Sequence, residues 1–313
     1  VALPNANTNS NAGQGQLVAA SGDPGAGAPQ SNGFYFPQTI LYRSGNSVLA
    51  VSSAGGGGLV IGSGNAVRSL NGLFVATAGN GVAVVRPDGA SVASGSGQST
   101  LPSWSRDGSS AYWGSGAQLI RFQGGNTTVI STLNGNLTKV EVAPDGSTVL
   151  FANSTQVKLI MGDGTPYELW VSDGSSIIEG PFWANRNGQL GIYARLSDGR
   201  RVFMGGGFST IDDPFEQLQQ VSPINEGARV YIRQENAGNG YLLVAVWPGL
   251  PDREFVAKTL FDLSWSPDGA QLVYATPDGQ LILLDLASGN GSVLASGGAS
   301  APIWSPARYI VKI

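Results

Sequence analysis

The stretch LSWSPDGAQLVYATPDGQLILLDLASG, residues 263–289, constrains the fold more than any other, because its pattern returns along the chain. A tryptophan or an apolar substitute precedes a turn, and an alternating apolar run follows it. Clear copies are SWSRDGSSAYW from Ser103, VAPDGSTVLFA from Val142, FWANRNGQLGIYA from Phe182, SWSPDGAQLVYA from Ser264 and IWSPARYIVKI from Ile303. Weaker copies begin at Phe34, Ala66 and Val221. With Tyr35, Val67, Trp104, Val142, Trp183, Val221, Trp265 and Trp304 as equivalent positions, successive spacings are 32, 37, 38, 41, 38, 44 and 39 residues. A period of about 38 residues accommodates four short strands and their turns.

The turn chemistry supports strands throughout. In the clearest unit Asp262 to Trp265 reads as a first strand. Pro267 then presets the turn dihedral, Asp268 bonds nearby amides and Gly269 lets the chain leave the turn. Leu272 to Ala275, Gln280 to Leu286 and Ser292 to Ala295 complete the unit. Repetition gives Asp107, Asp145 and Asp268 a structural reading, as backbone-shaping turn residues. The chain carries 46 glycines and 17 prolines beside a 42% hydrophobic fraction, which suits many short strands rather than a disordered polymer.

These observations predict an all-β chain forming a single β-propeller domain over residues 1–313. The expected count is eight four-stranded blades with chain-end closure, and seven is the alternative. Residues 1–30 are expected to help close a final blade formed by residues 299–313. The quoted units resemble the TolB-type, WD-like β-propellers of bacteria, on SWSRDG at 103–108, VAPDG at 142–146, SWSPDG at 264–269 and IWSP at 303–306. That resemblance implies a protein-interaction platform or a companion of a catalytic domain.

Composition removes several chemistries. The chain has neither cysteine nor histidine, so thiol nucleophiles, disulfides, the usual Ser-His-Asp triad and histidine zinc sites are excluded. No nucleophile elbow, Walker A sequence or dinucleotide fingerprint occurs. A net charge of −4 with no basic stripe speaks against nucleic acid. No apolar run reaches membrane-spanning length. No catalytic, cofactor or metal residue is assigned, no cofactor is expected, and an enzymatic role is left open with a noncatalytic one favoured.

Candidate contact residues lie where the repeat is interrupted. In MGGGFSTIDDPFEQLQQVSP (204–223), Asp212 and Asp213 form an acidic start, Asp213 could cap a short helix, and Phe215 could pack it down. In the longest unit Trp247, Arg253 and Phe255 combine aromatics with an arginine, the residue types that dominate interface centres. Trp113 and Trp170 fall off the repeated tryptophan position and are ligand candidates. Arg200 and Arg201 could form a small basic spot. Asn126, Asn136, Asn153 and Asn290 begin glycosylation sequons. The resulting expectation is a noncatalytic scaffold in a bacterial envelope or extracellular assembly, secreted, periplasmic or cell-surface, with a protein or homo-oligomeric partner. A glycan-binding or glycan-active propeller, or the accessory propeller of a peptidase, is the alternative.

Overall fold

The computed structural model describes residues 39–313 except 57, 70–73, 80, 87–89, 99, 106, 144–145, 147, 163, 187, 206, 212–216, 223, 226, 236–238, 306–307 and 313, with the side chains of 217, 308, 310 and 312 also outside the description. The described residues form seven four-stranded antiparallel blades of a β-propeller. The chain divides into two compact units, one containing residues 220–308 together with the segment up to Gly95, the other Ser96–Gln219 with Tyr309–Ile313.

In the first unit, blade 1 has the strand order Ala299–Ile303, Thr39–Ser44, Ser47–Ser52, Leu59–Ser63. Blade 2 runs Asn65–Arg68, Val75–Ala78, Val82–Val85, Ser91–Gly95. Blade 6 begins with Gln217–Val221, of which Gln220 and Val221 belong to this unit, and continues through Arg229–Glu235, Tyr241–Val246 and Arg253–Ala257. Blade 7 is Leu263–Trp265, Gln271–Ala275, Leu281–Asp285 and Gly291–Ala295, within a residue or two of the strands read from the sequence. In the second unit, blade 3 comprises Ser103–Trp104, Ser110–Ser115, Gln118–Gln123 and Asn126–Thr132, and blade 4 comprises Lys139–Val142, Val149–Ala152, Gln156–Ile160 and Pro166–Val171. Blade 5 is Ile177–Arg186, Gln189–Leu196, Arg201–Met204 and Phe208–Thr210.

The expectation of eight blades is therefore corrected to seven. Eight repeat positions exist, but two of them belong to one blade. The strand leading into Trp304 is the first strand of blade 1, and the segment after Tyr35 supplies its other three. The seam between them is antiparallel, with Leu41 opposite Ile303, Arg43 opposite Ser300 and Ser44 opposite Ala299, and a bulge between Leu41 and Arg43. The part expected of residues 1–30 in closure lies outside the described residues. Arg308–Lys312 takes a different course: within the second unit it pairs in parallel with Ile177–Arg186, Ala184 facing Val311 and Asn185 facing Lys312.

The repeated turn is built by its side chains. The Ser266 hydroxyl accepts from the Gln271 amide at 2.9 Å and donates to Asp268 at 2.6 Å, while the Ala270 amide donates to the same carboxylate at 3.0 Å. Ser105 repeats this with Ser110 and Asp107 at 2.9 and 2.5 Å. Gly108 and Gly269 leave these turns at φ 71° and 70°, a left-handed conformation costly for other residues. Burial pushes the Asp107 carboxyl up, but the hydrogen bonds from Ser105 and Ser109 outweigh it and leave the group below the usual range.

Successive blades are also tied at the serine that precedes the tryptophan. Within the second unit the Ser103 hydroxyl accepts from the Val142 amide at 3.0 Å, and within the first the Ser264 hydroxyl accepts from the Trp304 amide at 2.9 Å. The first bond joins neighbouring first strands, and the second runs from a first strand to the residue directly after the next one. The cores are correspondingly apolar: Trp304 packs with Ile40, Val51, Val273 and Leu281 in one unit, and Trp170 and Trp183 pack with Leu150, Ile192 and Met204 in the other.

Candidate interaction surface around Trp247

Alternate hairpin turns of a meander emerge at one end of the sheet. In blades 6 and 7 those turns are 222–228, 247–252, 266–270 and 286–290. The first three gather around Trp247, which is half-buried. Its ring lies 5.9 Å from that of Trp265, tilted by 44°, and Trp265 itself is 2% exposed. Trp247 is thus a second aromatic layer over a core tryptophan.

Two neighbours complete the patch. Ile224 is 48% exposed, although a side chain of its size gains about 1.5–3 kcal/mol when fully buried. In sequence it follows Ser222 at the interval at which Asp268 follows Ser266, but in a turn that is one residue longer. The closing backbone bond runs from the Ser222 amide to the Ala228 carbonyl in one turn and from the Ser266 amide to the Gln271 carbonyl in the other. In the longer turn it is Asn225 that does what Asp268 does, its Oδ1 accepting from the Gly227 amide at 2.9 Å as Asp268 accepts from the Ala270 amide at 3.0 Å. Gly269 lies beneath both, since a Cβ there would meet Trp247 Cη2 at 2.7 Å and Ile224 Cγ1 at 3.1 Å. The longer turn, with an isoleucine directly after Ser-Pro, was visible in the sequence but was not singled out there.

The other residues singled out from the sequence occupy different settings. Arg253 reaches the next blade's turn, donating from Nε to the Leu286 carbonyl at 2.9 Å and from Nη2 to the Ala287 carbonyl at 2.5 Å. Phe255 is 7% exposed and its ring lies 4.6 Å from Tyr274. Burial raises the Tyr274 hydroxyl above its ordinary value. Trp113 and Trp170 are 2% and 8% exposed, in the second strand of blade 3 and the outer strand of blade 4. Asp212, Asp213 and Phe215 lie outside the described residues. The structure brings Trp247 to the exposed patch, with Arg253 and Phe255 following on the adjacent strand and facing blade 7.

Arg200 is held between two carboxylates, Asp173 and Asp198, each at 2.6 Å. Hydrogen bonds from Ser175 and from the Arg200 amide, with the guanidinium beside them, hold the Asp198 carboxyl down at about 2. Among the sequons, Asn153 is buried, and its carboxamide holds a turn by donating to the Asn134 carbonyl at 2.8 Å and accepting from the Gln156 amide at 2.8 Å. Asn126, Asn136 and Asn290 are exposed.

Among the described residues no group of three or more Asp or Glu side chains is arranged to hold a metal ion, and no helix is long and apolar enough to cross a membrane. A cavity of about 10 Å³ beside Arg43, Asn65 and Ala301 has room for about one water.

No protein-family model matches the chain. No curated protein matches it either. Among solved structures, the chain is similar to the dihydro-heme d1 dehydrogenase NirN in complex with DHE, at 12% identity and TM-score 0.59, over 85% of this chain and 75% of that one. It is similar to a chain of the mitotic checkpoint complex at 13% identity and TM-score 0.52, over 80% and 88%. TolB from Acinetobacter baumannii aligns at 14% identity and TM-score 0.48, over 86% and 67%. At these identities the first two likenesses establish the fold alone, and the fold of this chain is the seven-bladed β-propeller.

Proposed function

We propose that this chain is a noncatalytic interaction platform whose contact patch is the Ile224–Trp247 cluster, working in a bacterial envelope or extracellular assembly. The observation that carries the reading is the exposed isoleucine, at 48%, in a turn one residue longer than that of the next blade. It stands beside a half-buried tryptophan whose place is set by Gly269. An aromatic anchor held on a rigid base loses little conformational freedom when a partner covers it. The partner is a protein presenting an apolar surface to this patch.

The test is capture from the native envelope fraction by the immobilised chain, compared with Ile224→Asp and Trp247→Ala and quantified by mass spectrometry. Loss of a specific captured protein by about tenfold or more in both variants, with unchanged circular dichroism, is the expected result. Capture that is indifferent to both substitutions overturns it. Binding on a glycan array that vanishes with Trp247→Ala, without a captured protein, replaces the protein partner with a sugar.

A further inference from the structure

Blade 1 alone has its first and second strands at opposite ends of the described chain, Ala299–Ile303 and Thr39–Ser44. In the other six blades those strands are consecutive, joined by a turn. In blades 2, 3, 4, 6 and 7 the turn is closed by a backbone bond: Ser69 amide to Phe74 carbonyl, Ser105 to Ser110, Ala143 to Thr148, Ser222 to Ala228 and Ser266 to Gln271. These bonds also set the register of the repeat. They make Arg68, rather than Val67, the residue that stands where Trp104, Val142, Val221 and Trp265 stand. Blade 2 therefore carries an arginine at the position of a core tryptophan.

Arg68 is 1% exposed. Its Nη1 donates to the Thr39 carbonyl at 2.5 Å and to the Trp304 carbonyl at 3.1 Å. Thr39 begins the second strand of blade 1, and Trp304 directly follows the first. The two carbonyls are thus the loose ends of the missing turn. We infer that Arg68 is the clasp of the propeller's seam: one buried guanidinium nitrogen bridges the two strand ends that no turn connects, doing for blade 1 what a hairpin does for its neighbours. Burial pulls the guanidinium down to about 9, which leaves it charged at neutral pH, and charged donors make the stronger hydrogen bonds. The opposite end of the seam is tied separately. Arg43 Nε donates to the Ser300 hydroxyl at 3.3 Å, and Ser44 Oγ to the Gly297 carbonyl at 3.2 Å. Arg43 Nη1 also reaches Asn65 Oδ1 at 2.9 Å, so the first strand of blade 2 is fastened to both ends of blade 1's seam.

A clasp predicts local opening, where a packing residue predicts general loosening. Amide hydrogen exchange is measured on Arg68→Met, Arg68→Lys and the native chain. In Arg68→Met, amides bonded across the pairs Leu41–Ile303 and Arg43–Ser300 should exchange about tenfold faster or more, while those pairing Leu272 with Leu284 in blade 7 change less than about twofold. Arg68→Lys, which keeps a charged donor, falls between. The same substitution is then made in a Ser44→Cys/Ala299→Cys background, whose disulfide is unambiguous in a chain without cysteine. There Arg68→Met should lose less than half the melting temperature it loses without the staple. Uniform acceleration across blades 1 and 7, or an equal loss with and without the staple, overturns the inference. If Arg68→Met does not fold, recovery of folding by the staple supports the clasp, and failure of the stapled variant as well overturns it.

Discussion

Gly269 and Trp247 compete for one volume: a Cβ on Gly269 would stand 2.7 Å from Trp247 Cη2 and 2.8 Å from Cζ3. The glycine is also at φ 70°. Gly269→Ala therefore carries two penalties, a left-handed alanine and the displacement of an indole that rests on Trp265. Together they should cost about 1–3 kcal/mol and lower the melting temperature by several degrees. Tryptophan emission should shift to the red as Trp247 swings outward. Gly249, at φ 86° with open space around its Cβ direction, is the control. Gly249→Ala bears the conformational penalty alone and should leave the emission unchanged.

The serine before the repeated tryptophan offers a second test, because its two copies bear different loads. Ser264 Oγ accepts from the Trp304 amide at 2.9 Å and the Ser305 amide at 3.2 Å and donates to the Ser305 carbonyl at 3.1 Å, and Ser264 is 2% exposed. Ser103 Oγ accepts from the Val142 amide at 3.0 Å. Removing a hydroxyl that satisfies buried backbone groups costs about 1–3 kcal/mol for each group left unpaired. Ser264→Ala should therefore destabilise more than Ser103→Ala in urea unfolding. Equal effects would mean that the Trp304 and Ser305 amides find other acceptors.

The same two serines show how far the sequence could be read. The Ser-Trp-Ser-Pro-Asp-Gly signal is local: hydroxyl, carboxylate and left-handed glycine all act within six residues, so the repeat, the turns and the strands of blade 7 were legible. Blade 1 was not, because its pairing joins Ile303 to Leu41 across nearly the whole chain and no spacing encodes it. Counting Tyr35 and Trp304 as separate units gave eight. Arg68 escaped for a related reason. A search for an apolar residue before a turn settles on Val67, one place short, and only the Ser69–Phe74 backbone bond reveals the true register. At the candidate patch, Trp247 was legible as an aromatic in an interrupted unit, while Ile224 gained meaning only from the approach of its side chain to Gly269, which no spacing encodes.

The acid response of the second unit should centre on Arg200. Asp198 is held at about 2, chiefly by the Ser175 hydroxyl and the Arg200 amide. Asp173 lies below its ordinary value chiefly through the Arg200 guanidinium. Both carboxyls have folded values below the unfolded one of about 3.9. Their contribution is thus complete above that unfolded value and is lost as pH falls through the folded one. Both are solvent-exposed, so salt should weaken the effect. Carboxyl carbon NMR titration should place the Asp198 midpoint near 2, and Ser175→Ala and Arg200→Gln should each raise it. An Asp198 midpoint near 3.9 in the native chain would contradict the arrangement.

Arg253 decides whether the residues beyond Trp247 belong to the contact patch or only support it. Its fork is spent on the Leu286 and Ala287 carbonyls, and a Cβ on Gly289 would stand 3.0 Å from its Nη1. The turn it grips is braced further by Asp285, whose carboxylate accepts from the Ser288 amide at 2.7 Å and lies below its ordinary value, first through that bond. Arg253→Met keeps most of the stem and removes the donors. Charge-assisted bonds to a partly solvated turn should make the loss about 1–2 kcal/mol, read as a fall of a few degrees in melting temperature. If the guanidinium is a brace between blades 6 and 7, partner capture by Arg253→Met stays within about twofold of the native chain, well short of the losses at a hot spot. If it also touches the partner, capture falls with Arg253→Met as steeply as with Ile224→Asp, and the patch extends from the Trp247 turn along the strand Arg253–Ala257.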